Sequence, residues 1–192
     1  MRLVLGLGNP GREYRGTRHN AGFAVVELLS GRHGIVLDRA RHRAIHGRGR
    51  IAGEEVILAL PTTFMNLSGE AARLLLDYHG LGVGDLVVVH DEADLPPGTV
   101  RIKQGGGLAG HKGLVSIAGR LGSRDFARVR VGIGRPPAGG EELVSWVLGR
   151  PAPGEREELE IGVRLAADAV ESILAHGIEE AMGTFNRRSP GT

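Results

Sequence analysis

Two rhythms of apolar positions alternate along the chain. Arg2 to Leu7 is a short apolar run closed by glycine, the pattern of a buried first strand. Gly8 to Gly16, rich in Gly and Pro, reads as a loop. Ala21, Val25, Leu28 and Leu29 fall at helical spacing and predict a helix over Ala21 to Leu29. Ile35 to Arg50 and Glu55 to Leu60 read as strands either side of a turn near Ala52-Gly53. Ser68 is a candidate N-cap for a helix reaching about His79, with Ala71, Ala72, Leu75 and Leu76 on its inner face. Leu86 to His90 is continuously apolar, as a strand covered on both faces should be. Thr99 to Lys103 and Ala127 to Ile133 alternate as strands do. Between them lie the glycines Gly105-Gly106-Gly107 and a helix from about His111 to Leu121. The last third is helical: Glu142 to Leu148, Glu155 to Ala175, and a short segment ending at Phe185.

Strands and helices interleave, so the class is α/β, with helices on both faces of a mixed sheet. No internal repeat or long linker divides the chain. One domain is expected over 1–186, and a disordered tail from Arg187 to Thr192. Sites in open α/β sheets gather at the carboxyl ends of strands. That rule singles out Gly8-Asn9, His90-Asp91 and the glycine loop after Lys103.

Composition narrows the chemistry. The chain has 192 residues and no cysteine, which excludes disulfides, thiolate metal sites and a cysteine nucleophile. No signal peptide is seen at Met1 to Gly6, and no stretch approaches a membrane span, so a cytoplasmic protein is expected. The net charge of +2 conceals blocks of opposite sign. Arg32 to Arg50 carries six Arg against Asp38, and Arg101 to Arg135 carries eight basic residues against Asp125. Acids dominate from Ile51 to Val100 and from Pro136 to Glu180. One such block reads equally well as a solvated surface; two basic blocks in so small a chain favour a polyanionic partner.

Gly6-Leu7-Gly8-Asn9-Pro10-Gly11 fits the G-x-G-x-x-G dinucleotide turn directly after a strand. Such a turn opens into a helix whose N-terminus meets the pyrophosphate, whereas Arg12 to Thr17 has no helical period. Asp38 is roughly in range for a ribose hydroxyl but opens the most Arg-rich block. The nucleotide-dependent oxidoreductase this motif suggests is therefore disfavoured. No Ser stands in a G-x-S-x-G elbow, and there is no H-E-x-x-H. His42 and His46 read as a pair of surface histidines in a basic strand. His19, between Arg18 and Asn20 at a helix start, and Asp91 both fall near the carboxyl end of the sheet. A histidine held by a carboxylate can act as a general base on water. Spacing alone leaves a structural histidine as the alternative.

Three segments resemble the bacterial peptidyl-tRNA hydrolase family. They are Gly6-Leu-Gly-Asn-Pro-Gly with Tyr14 and Thr17-Arg-His-Asn-Ala-Gly22; Pro61-Thr-Thr-Phe-Met-Asn-Leu-Ser-Gly69; and His90-Asp-Glu-Ala-Asp-Leu-Pro-Pro-Gly98, followed by Gly105-Gly-Gly and Phe126 to Gly134. The resemblance covers nearly the whole chain. It implies a three-layer α/β/α sandwich with a mixed, twisted central sheet. It also implies hydrolysis of the ester between a peptide and the 3′ ribose of tRNA, which recycles tRNA from peptidyl-tRNA released by ribosomes. His19 would be the general base and Asp91 would orient and stabilise it, within hydrogen-bond reach. Asn9 and Asn66 would hold substrate, Asn66 also polarising the ester carbonyl, with Tyr14 and Met65 lining the cleft. Lys103 and Arg130 would clamp the tRNA 5′ phosphate. The segment after Pro136 resembles the family's mobile lid. No metal or organic cofactor is implied, and a monomer is expected.

One position departs from the family. Gly110-His111-Lys112-Gly113 stands where Gly-His-Asn-Gly is usual. Lys112 only donates, carries charge and reaches further than Asn. It is expected either to grip substrate, at a phosphate or the ester carbonyl, or to be a solvated residue at a helix start. A noncatalytic RNA-binding relative is the remaining alternative. The presence of His19, Asp91, Asn9 and Asn66 argues against it.

Overall fold

A computed structural model of the chain describes residues 1–138, 140 and 142–187. Seven strands form one sheet: β1 (Arg2–Gly6), β2 (Arg39–Arg41), β3 (Ala44–Ile51), β4 (Glu54–Pro61), β5 (Leu86–Glu92), β6 (Val100–Gln104) and β7 (Ala127–Gly132). Their order is β2-β3-β4-β1-β5-β7-β6. β4, β1, β5 and β7 run parallel, while β2, β3 and β6 each pair antiparallel with a neighbour. The helices are α1 (Ala21–His33), α2 (Ser68–His79), α3 (Lys112–Leu121), α4 (Leu143–Val147), α5 (Pro153–His176) and α6 (Ile178–Phe185). α1, α5 and α6 bury their apolar faces on one side of the sheet, against Val4, Leu58, Val87 and Val129. α2 and α3 cover the other side, against Leu3, Leu5, Ile57 and Val88. The architecture is the expected three-layer α/β/α sandwich with a mixed sheet. β5 is unbroken in its apolar run because both its faces are covered.

The glycine turn after β1 serves packing. α1 begins only at Ala21, after two 3-10 turns at Arg12–Tyr14 and Arg18–Asn20. A Cβ on Gly6 would sit 2.4 Å from the carbonyl oxygen of Gly22, and one on Gly22 would sit 2.4 Å from that of Val89. Absent side chains therefore let α1 press onto β1 and β5, and the loop before it is drawn down to the carboxyl edge of the sheet.

Three sequence expectations are corrected. Ile35 to Arg50 is not one strand: Ile35 to Asp38 is a loop, and β2 and β3 meet in a two-residue turn at His42-Arg43. Both turn residues have positive φ, 58° and 57°, as a hairpin of primed type requires. The usual Asn-Gly signal is missing; the Thr62 N–H donates to the Arg43 carbonyl at 2.8 Å and helps fix the turn. His46 is not a surface residue but is 4% exposed. Ser68 does not cap α2. It is the first helical residue after a 3-10 turn at Met65–Leu67, and its hydroxyl donates back to the Met65 carbonyl at 2.6 Å. In the expected tail, Arg187 closes a turn after α6, and 188–192 lie outside the described residues.

Candidate active site

A cleft of about 740 Å³ opens at the carboxyl edge of β1, β5 and β7. His19 reaches it from the second 3-10 turn, Asp91 from the end of β5, and His111 from the loop leading into α3. His19 Nδ1 lies 2.8 Å from Asp91 Oδ2, and His111 Nε2 lies 2.8 Å from Asp91 Oδ1. A carboxylate only accepts, so both facing nitrogens are assigned as N–H donors. His111 Nδ1 accepts from the backbone N–H groups of Gly113 and Leu114, at 3.1 and 3.3 Å, and so caps α3. That contact fixes the His111 tautomer from its other side. His19 Nε2 keeps its lone pair and has no partner among the described residues.

Asp91 is 3% exposed. Burial alone would raise its pKa, but the two imidazoles overcome this and hold the carboxyl well below its ordinary range. Behind it, His90 is buried and pushed down to about 3, chiefly by burial and then by His111. Its Nδ1–H donates to the Asp91 carbonyl at 2.8 Å, which makes His90 a neutral support of the strand end. Ligand atoms of His19, Asp91 and His111 lie within 4.8 Å of one another, close enough to hold a metal ion. As they stand, those atoms are engaged with each other in hydrogen bonds.

The other expected residues fall as follows. Asn9 and Asn20 clasp each other: the Asn9 N–H donates to Asn20 Oδ1 at 2.8 Å, and Asn20 Nδ2 donates to the Asn9 carbonyl at 2.9 Å. Asn9 Oδ1 accepts from the Met65 N–H at 2.7 Å, which leaves its amide nitrogen as the group free for the cleft. Met65 lines the cleft and is buried, while Asn66, one residue on, is exposed within it. Tyr14 is not among the lining residues; its ring stands edge-on to Phe64, which is, at 6.4 Å. Lys103 and Arg130 share the cleft wall, and Arg130 donates to Glu92 Oε1 at 3.0 Å. Lys112 is exposed at the first position of α3, lines the cleft and makes no ion pair among the described residues. The far wall is α4, with Leu143, Val144, Val147 and Leu148.

α4 is fastened to the turn that carries His19. The buried Arg18 guanidinium lies 3.4 Å from the Trp146 ring centroid. It donates to the Trp146 carbonyl at 3.1 Å and to Glu155 at 2.7 Å. The Arg18 N–H donates to the Gly149 carbonyl, and Trp146 Nε1 donates to that of Gly134.

Reading residues one at a time missed His111, Asn20, Arg18 and Arg128. His111 carried the one available signal: a polar residue between a glycine loop and an apolar helix is a cap position, and this one lies at the carboxyl edge.

Fold and site together define a three-layer α/β protein with a histidine–carboxylate cluster in an open cleft. The profile of the peptidyl-tRNA hydrolase family matches residues 3–191. The chain belongs to the peptidyl-tRNA hydrolase family. It is 48% identical over 186 residues to the peptidyl-tRNA hydrolase of Syntrophomonas wolfei, covering 97% of this chain and all of that one. It is 49% identical over 184 residues to that of Frankia casuarinae, covering 96% and 93%. The crystal structure of the peptidyl-tRNA hydrolase from Acinetobacter baumannii superposes with a TM-score of 0.91 at 38% identity, over 99% of this chain and 96% of that one.

Proposed function

We propose that this protein hydrolyses the ester between a peptide, or an N-blocked amino acid, and the 3′ ribose of tRNA. His19 is the base that activates water. The observation that carries this reading is the His19–Asp91 pair: Nδ1–H is committed to the carboxylate, so Nε2 is left as a proton acceptor in the cleft. Water held by Nε2 loses its proton as it attacks the ester carbonyl, and the imidazolium that forms is stabilised by Asp91. The proton then passes to the departing ribose oxygen. Asn66 and the Asn9 amide hold the substrate, and Asn66 supports the carbonyl oxygen as charge develops there. Met65 lines the binding surface, and Tyr14 acts on it through Phe64. Lys103 and Arg130 take the 5′ phosphate of the acceptor stem, and Lys112 meets the anionic 3′ end. The whole of 1–186 acts as one domain, a cytoplasmic monomer, and no described helix is long and apolar enough to cross a membrane.

Single-turnover hydrolysis of an N-acetylated aminoacyl-tRNA, beside its free-amine form, tests this. The blocked substrate is cut and the free one spared. His19→Ala loses most turnover, on the order of 10²–10⁴-fold, while tRNA binding persists. Asp91→Asn loses less, because the imidazole remains. Near-normal hydrolysis by His19→Ala refutes the assignment.

A further inference from the structure

At the phosphate side of the cleft lies a cation without a counter-ion among the described residues. Arg128 is 1% exposed, the largest side chain sealed into the fold. Its guanidinium donates only to neutral carbonyls: Gly107, Gly106 at 3.1 Å and Arg124 at 2.9 Å. The Phe126 ring lies 4.7 Å away. Among the described residues Nε has no partner and no acid pairs with Arg128. Burial, Arg124 and Arg130 all disfavour its charge.

Strand register aggravates this. Arg128 is the direct cross-strand partner of Lys103, and Arg130 that of Arg101. Four cations thus share one face of two adjacent strands, and among the described residues Arg130–Glu92 is their only ion pair. Like charges placed directly opposite destabilise a sheet, and a buried unpaired cation is costlier still. A core built for stability alone would place an apolar residue at 128.

The carbonyls that Arg128 holds say what it does. Gly106 and Gly107 belong to the glycine loop, and Lys103 lies across Gly106. A Cβ there would stand 2.4 Å from Lys103 Cε and 2.7 Å from Nζ. Gly106 also has a φ of 94°, which a side chain resists. Only a planar fork reaches both loop carbonyls at once. We infer that Arg128 is a positioning residue: its fork freezes Gly105–Gly107 as the seat for the Lys103 side chain, and so sets recognition of the tRNA 5′ phosphate. The inference rests on the proposed phosphate clamp. It adds the buried residue at the cleft wall that builds the clamp by holding the loop, and leaves the bound phosphate to neutralise the excess charge.

The test compares kcat/KM for N-acetylated aminoacyl-tRNA with its 5′ phosphate intact and enzymatically removed. Wild type favours the phosphorylated form by about ten-fold, the worth of one charge-assisted contact. Arg128→Lys keeps the charge and loses the fork, and Arg128→Met loses both. In each the ratio falls toward one, mainly through KM. Thermal melting shows which variants fold. If folded Arg128 variants lose activity equally on both substrates and keep the wild-type ratio, Arg128 serves the fold alone and the inference is overturned. Should neither fold, Gly106→Ala decides, since it keeps the Arg128 guanidinium and disturbs the loop that seats Lys103; a retained ratio there overturns the inference. Wild type inert on both substrates defeats the hydrolase reading itself. Wild type active without discrimination defeats the clamp, and this inference with it.

Discussion

His111 Nε2 and Asp91 Oδ1 stand 2.8 Å apart, the same relation that His19 holds to the other carboxylate oxygen. Asp91 is therefore saturated by two imidazoles and cannot rotate toward either alone. His111 also caps α3 through Nδ1. The two duties separate by mutation. His111→Ala loses the cap, about 1 kcal/mol of stability, and frees one Asp91 oxygen, slowing hydrolysis about ten-fold. His111→Asn places an oxygen where Nδ1 was, so it recovers the stability and not the rate. Urea unfolding and single-turnover kinetics on the two variants check this; recovery of the rate by Asn would mean that the cap alone matters.

Lys103 and Arg130 differ in one respect that tRNA binding will show. In the proposed clamp each supplies about one phosphate contact, so either alanine variant is expected to lower the slope of log affinity against log salt by about 0.7–0.9. Arg130→Ala also strands Glu92 in the phosphate site. It therefore weakens binding more than Lys103→Ala, and adding Glu92→Gln restores part of the loss. Filter binding across a salt series is the measurement, and equal losses from the two alanine variants contradict it.

Lys112 is the position where the chain leaves its family's pattern. A cation at a helix N-terminus faces an unfavourable dipole, by about 0.3–1 kcal/mol, and no acid among the described residues pairs with this one. An anionic substrate end offsets that cost. Lys112→Ala is expected to raise KM for peptidyl-tRNA more than it lowers kcat, and Lys112→Asn to recover much of the loss. Unchanged kinetics in both would leave Lys112 a solvated surface residue.

His90 gives the pH dependence of stability. Its folded pKa of about 3 lies below the ordinary 6.5. The unfolded chain takes up a proton below about 6.5 while the folded one does not, so stability is lost as pH falls from there toward 3. The loss reaches about 1.4 kcal/mol per pH unit. His46 and His79, also lowered chiefly by burial, act with the same sign. His90→Asn keeps a donor for the Asp91 carbonyl and has nothing to titrate. Urea unfolding between pH 6.5 and 4 should show a slope shallower by about one proton; an unchanged slope removes His90 from the account.

Much of this was legible in the chain because it obeys local rules. The apolar run Leu86 to His90 could only be a doubly covered strand, and the carboxyl-edge rule placed Asn9, Asp91 and the glycine loop together before any coordinates. Other features follow from contacts between distant segments. His42-Arg43 forms a turn that its residue types do not announce, held in part by Thr62. Ser68 has the chemistry of a cap, yet a preceding 3-10 turn carried it inside the helix. Arg128 looked like one more surface cation in a basic block, because nothing local reports that a loop folds over it. His111 was hidden by the oddity of its neighbour Lys112.

Arg18 and His19 are consecutive, and Arg18 is where α4 is fastened. The far wall of the cleft and the turn that carries His19 are thus a single linkage, with one peptide bond as its joint. An outward shift of α4 would cost the buried Arg18 its aromatic ring and the Trp146 carbonyl, leaving only Glu155, on α5, to pair with it. A displacement of the far wall is therefore felt at the residue beside His19, so the width of the cleft and the placement of its histidine are set together.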